Sequence, residues 1–191
     1  MDKKIIAITG GIGSGKSYAL NILSSWGYPT FSCDETLKDV YNDKEVLLEV
    51  KKAFPKAFDG ENLNRKVLAD TVFNDNLKLE KLNAITHPHI FNRVISGARQ
   101  SDGALAFIEV PLLLEGGYQR FFDGVIVIKR SISKRITSVK ARSNLTEKEI
   151  RKRISAQIDY DTIDLKEFFV IENTNEESLI AQLKEIINRL K

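Results

Sequence analysis

Hydrophobic positions along the chain follow two alternating rhythms. Lys4–Thr9 (KIIAIT) is a short β-rich run with no polar alternation, as in a strand covered on both faces. Residues 17–26 then carry apolar side chains at helical spacing, and Gly27 follows where a helix would stop. Residues 28–32 (YPTFS) read as a second strand. From 35 to 100 the pattern is mostly helical. Val46, Leu47, Val50, Ala53 and Phe54 share one face, Val67, Leu68, Thr71 and Val72 another, and Leu79, Leu82 and Ile85 a third. Pro55, Asp59-Gly60 and Pro88 punctuate that stretch. Residues 104–110 (ALAFIEV) and Gly124–Lys129 (GVIVIK) predict two more buried strands. A charged helical region runs from 132 to about 159. Residues 168–172 (FFVIE) predict a last strand and 179–190 a closing amphipathic helix.

Strands alternating with helices predict an α/β fold built on a parallel five-stranded sheet, with helices on both faces. The helical stretch after the second strand and the charged one after the fourth fall outside that sheet. They lie at the strand ends where open α/β folds bind ligands.

The turn after the first strand holds the strongest motif. Residues 10–17, GGIGSGKS, satisfy G-x-x-x-x-G-K-[ST] through Gly10, Gly15, Lys16 and Ser17. Glycines let the backbone curl until successive N–H groups face an anion, and the following helix adds its positive N-terminus. Lys16 reaches β- and γ-phosphates, and the Ser17 hydroxyl is an expected Mg²⁺ ligand. The position between a predicted strand and a predicted helix is the context this P-loop needs. The motif implies triphosphate binding and leaves the acceptor of the γ-phosphate open: water, a protein or a small molecule.

Composition narrows the setting. The chain has 191 residues, enough for one compact domain with excursions. Its longest apolar stretch, 105–114, contains Glu109 and Pro111 and is too short to span a bilayer. The N-terminus lacks the long apolar region of a signal peptide. Cys33 is the single cysteine, which excludes an internal disulfide and a cysteine-rich metal site. A cytoplasmic location is expected. The net charge of +3 is unevenly spread: residues 129–153 hold ten basic side chains against Glu147 and Glu149. Such a segment attracts phosphates on a nucleic acid or a nucleotide, and it equally suits a solvated helix face.

Other polar positions carry candidate chemistry. Asp34, just after the second strand, suits an acid that accepts or orients an acceptor hydroxyl proton, and equally a helix N-cap. Glu109, in an apolar strand, is either a Mg²⁺ partner through water or a member of an ion pair. Glu115, beyond Pro111-Leu112-Leu113-Leu114, is similarly open. His87 and His89 flank Pro88 and lack the further ligands of a metal site, which favours helix-end hydrogen bonds. Arg135 and Arg142, seven residues apart on one predicted helix face, suit neutralising a moving phosphoryl group. Trp26 and Cys33 read as packing residues.

Together these residues resemble the dephospho-CoA kinase family. TGGIGSGKS at 9–17 is similar to the family's P-loop almost letter for letter. Asp34 falls on the second acid of its Asp-Ala-Asp motif. Leu63-Asn64-Arg65, with Leu68 and Phe73, resembles its leucine-aspartate-arginine segment. His87-Pro88 with Ile90 matches its histidine-proline motif, and 110–115 (VPLLLE) its Pro-Leu-Leu-x-Glu motif. Arg142, Arg153 and Gln157, then Val170-Ile171 and Asn173, follow its C-terminal pattern. The sequence departs from the pattern at Ser32, Tyr18, Ile163 and Glu167-Phe168.

The resemblance implies a P-loop kinase core from 1–34, 101–131 and 161–191, a helical CoA-binding domain at 35–100 and a lid at 132–160. It implies transfer from ATP, with Mg²⁺, to the ribose 3′-hydroxyl of dephospho-CoA. Lys16, Asp34 and Arg142 are the expected catalytic residues. ATP is expected at Gly11, Ile12, Gly13, Ser14, Gly15, Lys16, Ser17, Tyr18, Arg135 and Arg142. The acceptor is expected at Asp34, Arg65, His87, Pro111, Leu112 and Glu115. No nucleic acid, membrane or obligate protein partner is implied.

Overall fold

A computed structural model describes residues 3–72 and 75–191, which leaves Phe73 outside the described residues. In chain order the elements are β1 (Lys4–Thr9), α1 (Lys16–Ser25), β2 (Thr30–Ser32), α2 (Cys33–Val40), α3 (Lys44–Ala53), β3 (Phe58–Asp59), β4 (Asn62–Leu63), α4 (Arg65–Val72), α5 (Asn76–Gln100), β5 (Leu105–Glu109), β6 (Gly124–Lys129), α6 (Ile132–Arg142), α7 (Glu147–Ser155), β7 (Phe169–Glu172) and α8 (Glu176–Leu190). The chain divides into two compact units, Met1–Ser32 with Gly97–Lys191, and Cys33–Ser96.

The first unit holds the five-stranded parallel sheet, in the order β2-β5-β1-β6-β7. β1 is central: Ile6 pairs with Phe107 on one side and with Gly124 on the other. Every residue from Ile5 to Thr9 is buried, which explains the missing polar alternation. Ile6, Ile8, Phe107, Ile126, Ile128 and Ile171 form one core with Leu20 and Leu23 of α1 and Leu179, Leu183, Ile187 and Leu190 of α8. Full burial of each such side chain contributes about 1.5–3 kcal/mol. Parallel strands all end on the same edge of the sheet, and the turn after β1 opens there.

The second unit is helical, apart from the β3–β4 hairpin, in which Phe58 pairs with Leu63. Val46 and Val50 of α3, Leu68 and Val72 of α4, and Leu82, Ile90 and Val94 of α5 supply its buried face.

The structure corrects several boundaries. The charged region from 132 is two helices, α6 and α7, because Thr146 and Glu149 form a capping box that starts a new helix. The closing helix begins at Glu176, before the first apolar residue, because the Asn175 side chain accepts from Ser178 N. Pro88 lies inside α5, so His87 and His89 are mid-helix residues and not a helix end. Asp34 lies within the first turn of α2, not at its N-cap.

Candidate functional site

The turn between β1 and α1 is a tight loop whose backbone is held on all sides. Gly15 caps α1 with φ 106°, a left-handed conformation that side-chain-bearing residues rarely adopt. A Cβ there would also meet Asn173 Nδ2 at 2.5 Å. Asn173, buried just past β7, donates that amide to Ser14 O at 2.7 Å. Gly13, with φ 78°, leaves room for the α6 backbone: an added Cβ would lie 2.6 Å from Arg135 O. The sequence motif thus states two demands at once, a curled backbone and close neighbours.

Lys16 is buried, and its ammonium donates to Gly10 O at 2.9 Å and Gly11 O at 3.2 Å. Ser17 Oγ donates to Glu109 Oε1 at 3.0 Å. Glu109 is buried at the end of β5 and pairs in register with Ile8 of β1. The hydroxyl and carboxylate together are hard oxygen donors of the kind Mg²⁺ takes. Among the described residues no cluster of three or more His, Cys, Asp or Glu forms a metal site by itself.

A cavity of about 720 Å³ adjoins the loop. It is lined by Gly11 and Ser14 of the loop, by the basic side chains of Arg130, Lys134 and Arg135, and by Tyr160 and Asn173. Ser14 Oγ and Arg130 Nε are buried there without a hydrogen-bond partner among the described residues. Such atoms are costly unless something polar meets them. Lys129 is paired with Asp161 at 2.5 Å and Glu172 at 3.2 Å, and the Asp161 hydrogen bond holds its pKa above the usual lysine value.

The two arginines predicted on one helix face behave differently. Arg135 is half-buried, its Nε donates to Ile12 O at 2.9 Å, and burial lowers its pKa. Arg142, the last residue of α6, is exposed. Tyr18 is exposed, and its hydroxyl donates to Glu176; this raises the phenol pKa. Pro111, Leu112 and Glu115 follow β5 in the same unit. Leu112 is exposed, and Glu115 Oε1 accepts from Ile158 N at 3.3 Å.

The remaining candidates belong to the second unit. Asp34 is exposed in α2. Arg65 begins α4, lies over the Tyr41 ring at 5.5 Å and donates to Lys38 O at 3.3 Å. His87 packs edge-on to Phe91, and burial lowers its pKa.

Sequence reasoning missed Arg130, whose Nη1 donates to Ser138 Oγ at 2.8 Å and points a longer 3.4 Å contact at Gly13 O. It also gave Asn173 no role. An arginine directly after a strand and an asparagine directly after the last strand were the available signals.

Comparison with known proteins adds the wider context. Residues 4–178 match the family model described as dephospho-CoA kinase. A dephospho-CoA kinase of Thermus thermophilus is 35% identical over 187 residues, covering 97% of this chain and 91% of its own. A crystal structure of a Thermus thermophilus protein aligns with TM-score 0.88 at 34% identity, covering 100% of both chains. The dephospho-CoA kinase of Campylobacter jejuni aligns with TM-score 0.69 at 26% identity, covering 98% of this chain and 97% of its own.

Proposed function

The chain belongs to the dephospho-CoA kinase family, and on that premise we propose how its residues divide the work of the family's reaction. That reaction is the ATP-dependent phosphorylation of dephospho-CoA on its ribose 3′-hydroxyl, which ends coenzyme A biosynthesis. The protein is a kinase of the P-loop type.

The donor is held by the first unit. The backbone from 13 to 17 and the Lys16 ammonium cradle the phosphates, and the adjoining cavity takes the nucleoside. The observation that carries this assignment is the cavity's position: it opens directly from Gly11 and Ser14 and has basic side chains on its wall. Ser17 and Glu109 are the residues that would hold Mg²⁺, which would supply positive charge beside the phosphates. Tyr18 closes the loop side against Glu176.

In the transfer, the 3′-oxygen attacks the γ-phosphorus while the bond from that phosphorus to the β–γ bridging oxygen breaks. Asp34 accepts the hydroxyl proton, and ADP leaves. Arg142 stabilises the charge on the moving phosphoryl group. The acceptor is bound by the second unit, through Arg65 and His87, and by Pro111, Leu112 and Glu115. The Arg65 guanidinium stacked on Tyr41 is suited to an anionic or aromatic part of a nucleotide. A cytoplasmic location is part of the same proposal. Among the described residues no helix is long and apolar enough to cross a membrane.

Acceptor choice tests the proposal. ADP release is followed with Mg-ATP alone and with dephospho-CoA, shikimate or a nucleoside monophosphate. Release that depends on dephospho-CoA is the expected outcome. Equal release with shikimate or a nucleoside monophosphate would reassign the acceptor.

A further inference from the structure

One P-loop residue is held by its two polar edges and by its side chain at once. Ile12 N–H donates to Gln157 Oε1 at 2.7 Å. Ile12 C=O accepts from Arg135 Nε at 2.9 Å. Arg135 Nη2 in turn donates to the same Gln157 Oε1 at 3.4 Å, which closes a ring of three groups. The Ile12 side chain packs against Ile136 and Val139 of α6 and Ile150 of α7. Arg135 comes from α6, and Gln157 from the segment after α7.

Peptide planarity gives this ring a consequence for the phosphate cradle. In a trans peptide the C=O and the following N–H point in opposite directions. Fixing Ile12 C=O on Arg135 therefore turns Gly13 N–H to the opposite side. The next carbonyl but one, Ser14 O, is fixed by Asn173 Nδ2, which sets Gly15 N–H in the same way. Glycine-rich backbone is otherwise free to flip, and each flip would put a carbonyl where a phosphate oxygen belongs.

We infer that Arg135 and Gln157 are positioning residues that clamp the Ile12 peptide and so hold the phosphate cradle in its binding form. This refines the donor site proposed above and rests on that reading. Ile12 N–H is committed to Gln157, so Ile12 serves ATP by placement, not as a phosphate donor. Arg135 spends its Nε on Ile12 O and an Nη2 hydrogen on Gln157, so its part in the loop is to position it. Gln157 and Arg135 both line the cavity assigned to the nucleoside. The clamp therefore joins the nucleoside wall to the phosphate cradle.

Two variants of Gln157 separate positioning from bulk structure. Gln157→Leu keeps the volume and removes the acceptor, whereas Gln157→Glu keeps an acceptor oxygen. In Gln157→Leu, hydrogen exchange of the Ile12 amide in the protein without nucleotide should accelerate at least about tenfold. KM for ATP should rise about 5- to 20-fold, with kcat little changed and KM for dephospho-CoA constant, as for lost uniform binding. Gln157→Glu should restore the amide protection. Unchanged Ile12 protection in folded Gln157→Leu, or an equal rise in both KM values, overturns the inference. If Gln157→Leu does not fold, the wild type decides: an Ile12 amide that exchanges as fast as an exposed one refutes the clamp. The exchange measurement needs no turnover, so it reads the clamp even if the acceptor assignment fails.

Discussion

At the scale of single residues, the proposed proton transfer turns on Asp34, an exposed carboxylate in the first turn of α2. Asp34→Asn removes the proton acceptor and keeps the shape, so kcat should fall about 10²- to 10⁴-fold. Equilibrium binding of ATP should stay within about twofold, because the carboxylate acts on the acceptor hydroxyl and makes no contact with the donor in this mechanism. Wild-type turnover in Asp34→Asn would remove it from the mechanism. The donor side was more legible, because its chemistry demands residue types at fixed spacing: Gly10, Gly15, Lys16 and Ser17 declare a phosphate cradle without any knowledge of the fold. Arg135 was expected at ATP, but the contacts that hold the cradle are hidden for the opposite reason. Arg130, Arg135, Gln157 and Asn173 reach the loop from positions more than a hundred residues away in sequence. Nothing about an arginine on a charged helix says that its Nε will meet a glycine-loop carbonyl. Glu109 is an intermediate case: a carboxylate in an apolar strand signals a partner, but only the register of β5 against β1 brings it to Ser17.

At the scale of elements, the break between α6 and α7 matters for chemistry. It makes Arg142 the exposed last residue of a helix, where a cation complements the helix dipole and the side chain is open to solvent. Arg142→Ala should lower kcat about 10³-fold or more, by analogy with arginines that stabilise a transferring phosphoryl group, while leaving KM for dephospho-CoA unchanged. A variant that turns over at the wild-type rate with saturating ATP would show that another cation does this work. Apolar runs located the strands almost to the residue, since a strand buried on both faces leaves an uninterrupted hydrophobic signature. Gly124–Lys129 was read with the bounds it has. Helix ends were less legible, because caps are polar and lie outside the apolar stripe. Asn175 at the start of α8 and Thr146 at the start of α7 both had the right residue types, yet the hydrophobic rhythm pointed later or straight through.

At the scale of the whole molecule, the alternation of strands and helices foretold the parallel sheet and its five strands. The order of the strands was not legible, because the three inner strands, β5, β1 and β6, are alike apolar on both faces and carry no label for their neighbours. The central claim is that the γ-phosphoryl group of ATP ends on the ribose 3′-oxygen of dephospho-CoA. Its most direct test follows the label: the enzyme is given γ-labelled ATP and dephospho-CoA, and the product is fragmented to locate the phosphate on the ribose. The account predicts label on the 3′-oxygen in one-to-one ratio with ADP. Label recovered as inorganic phosphate, or on any other atom of the acceptor, would contradict it.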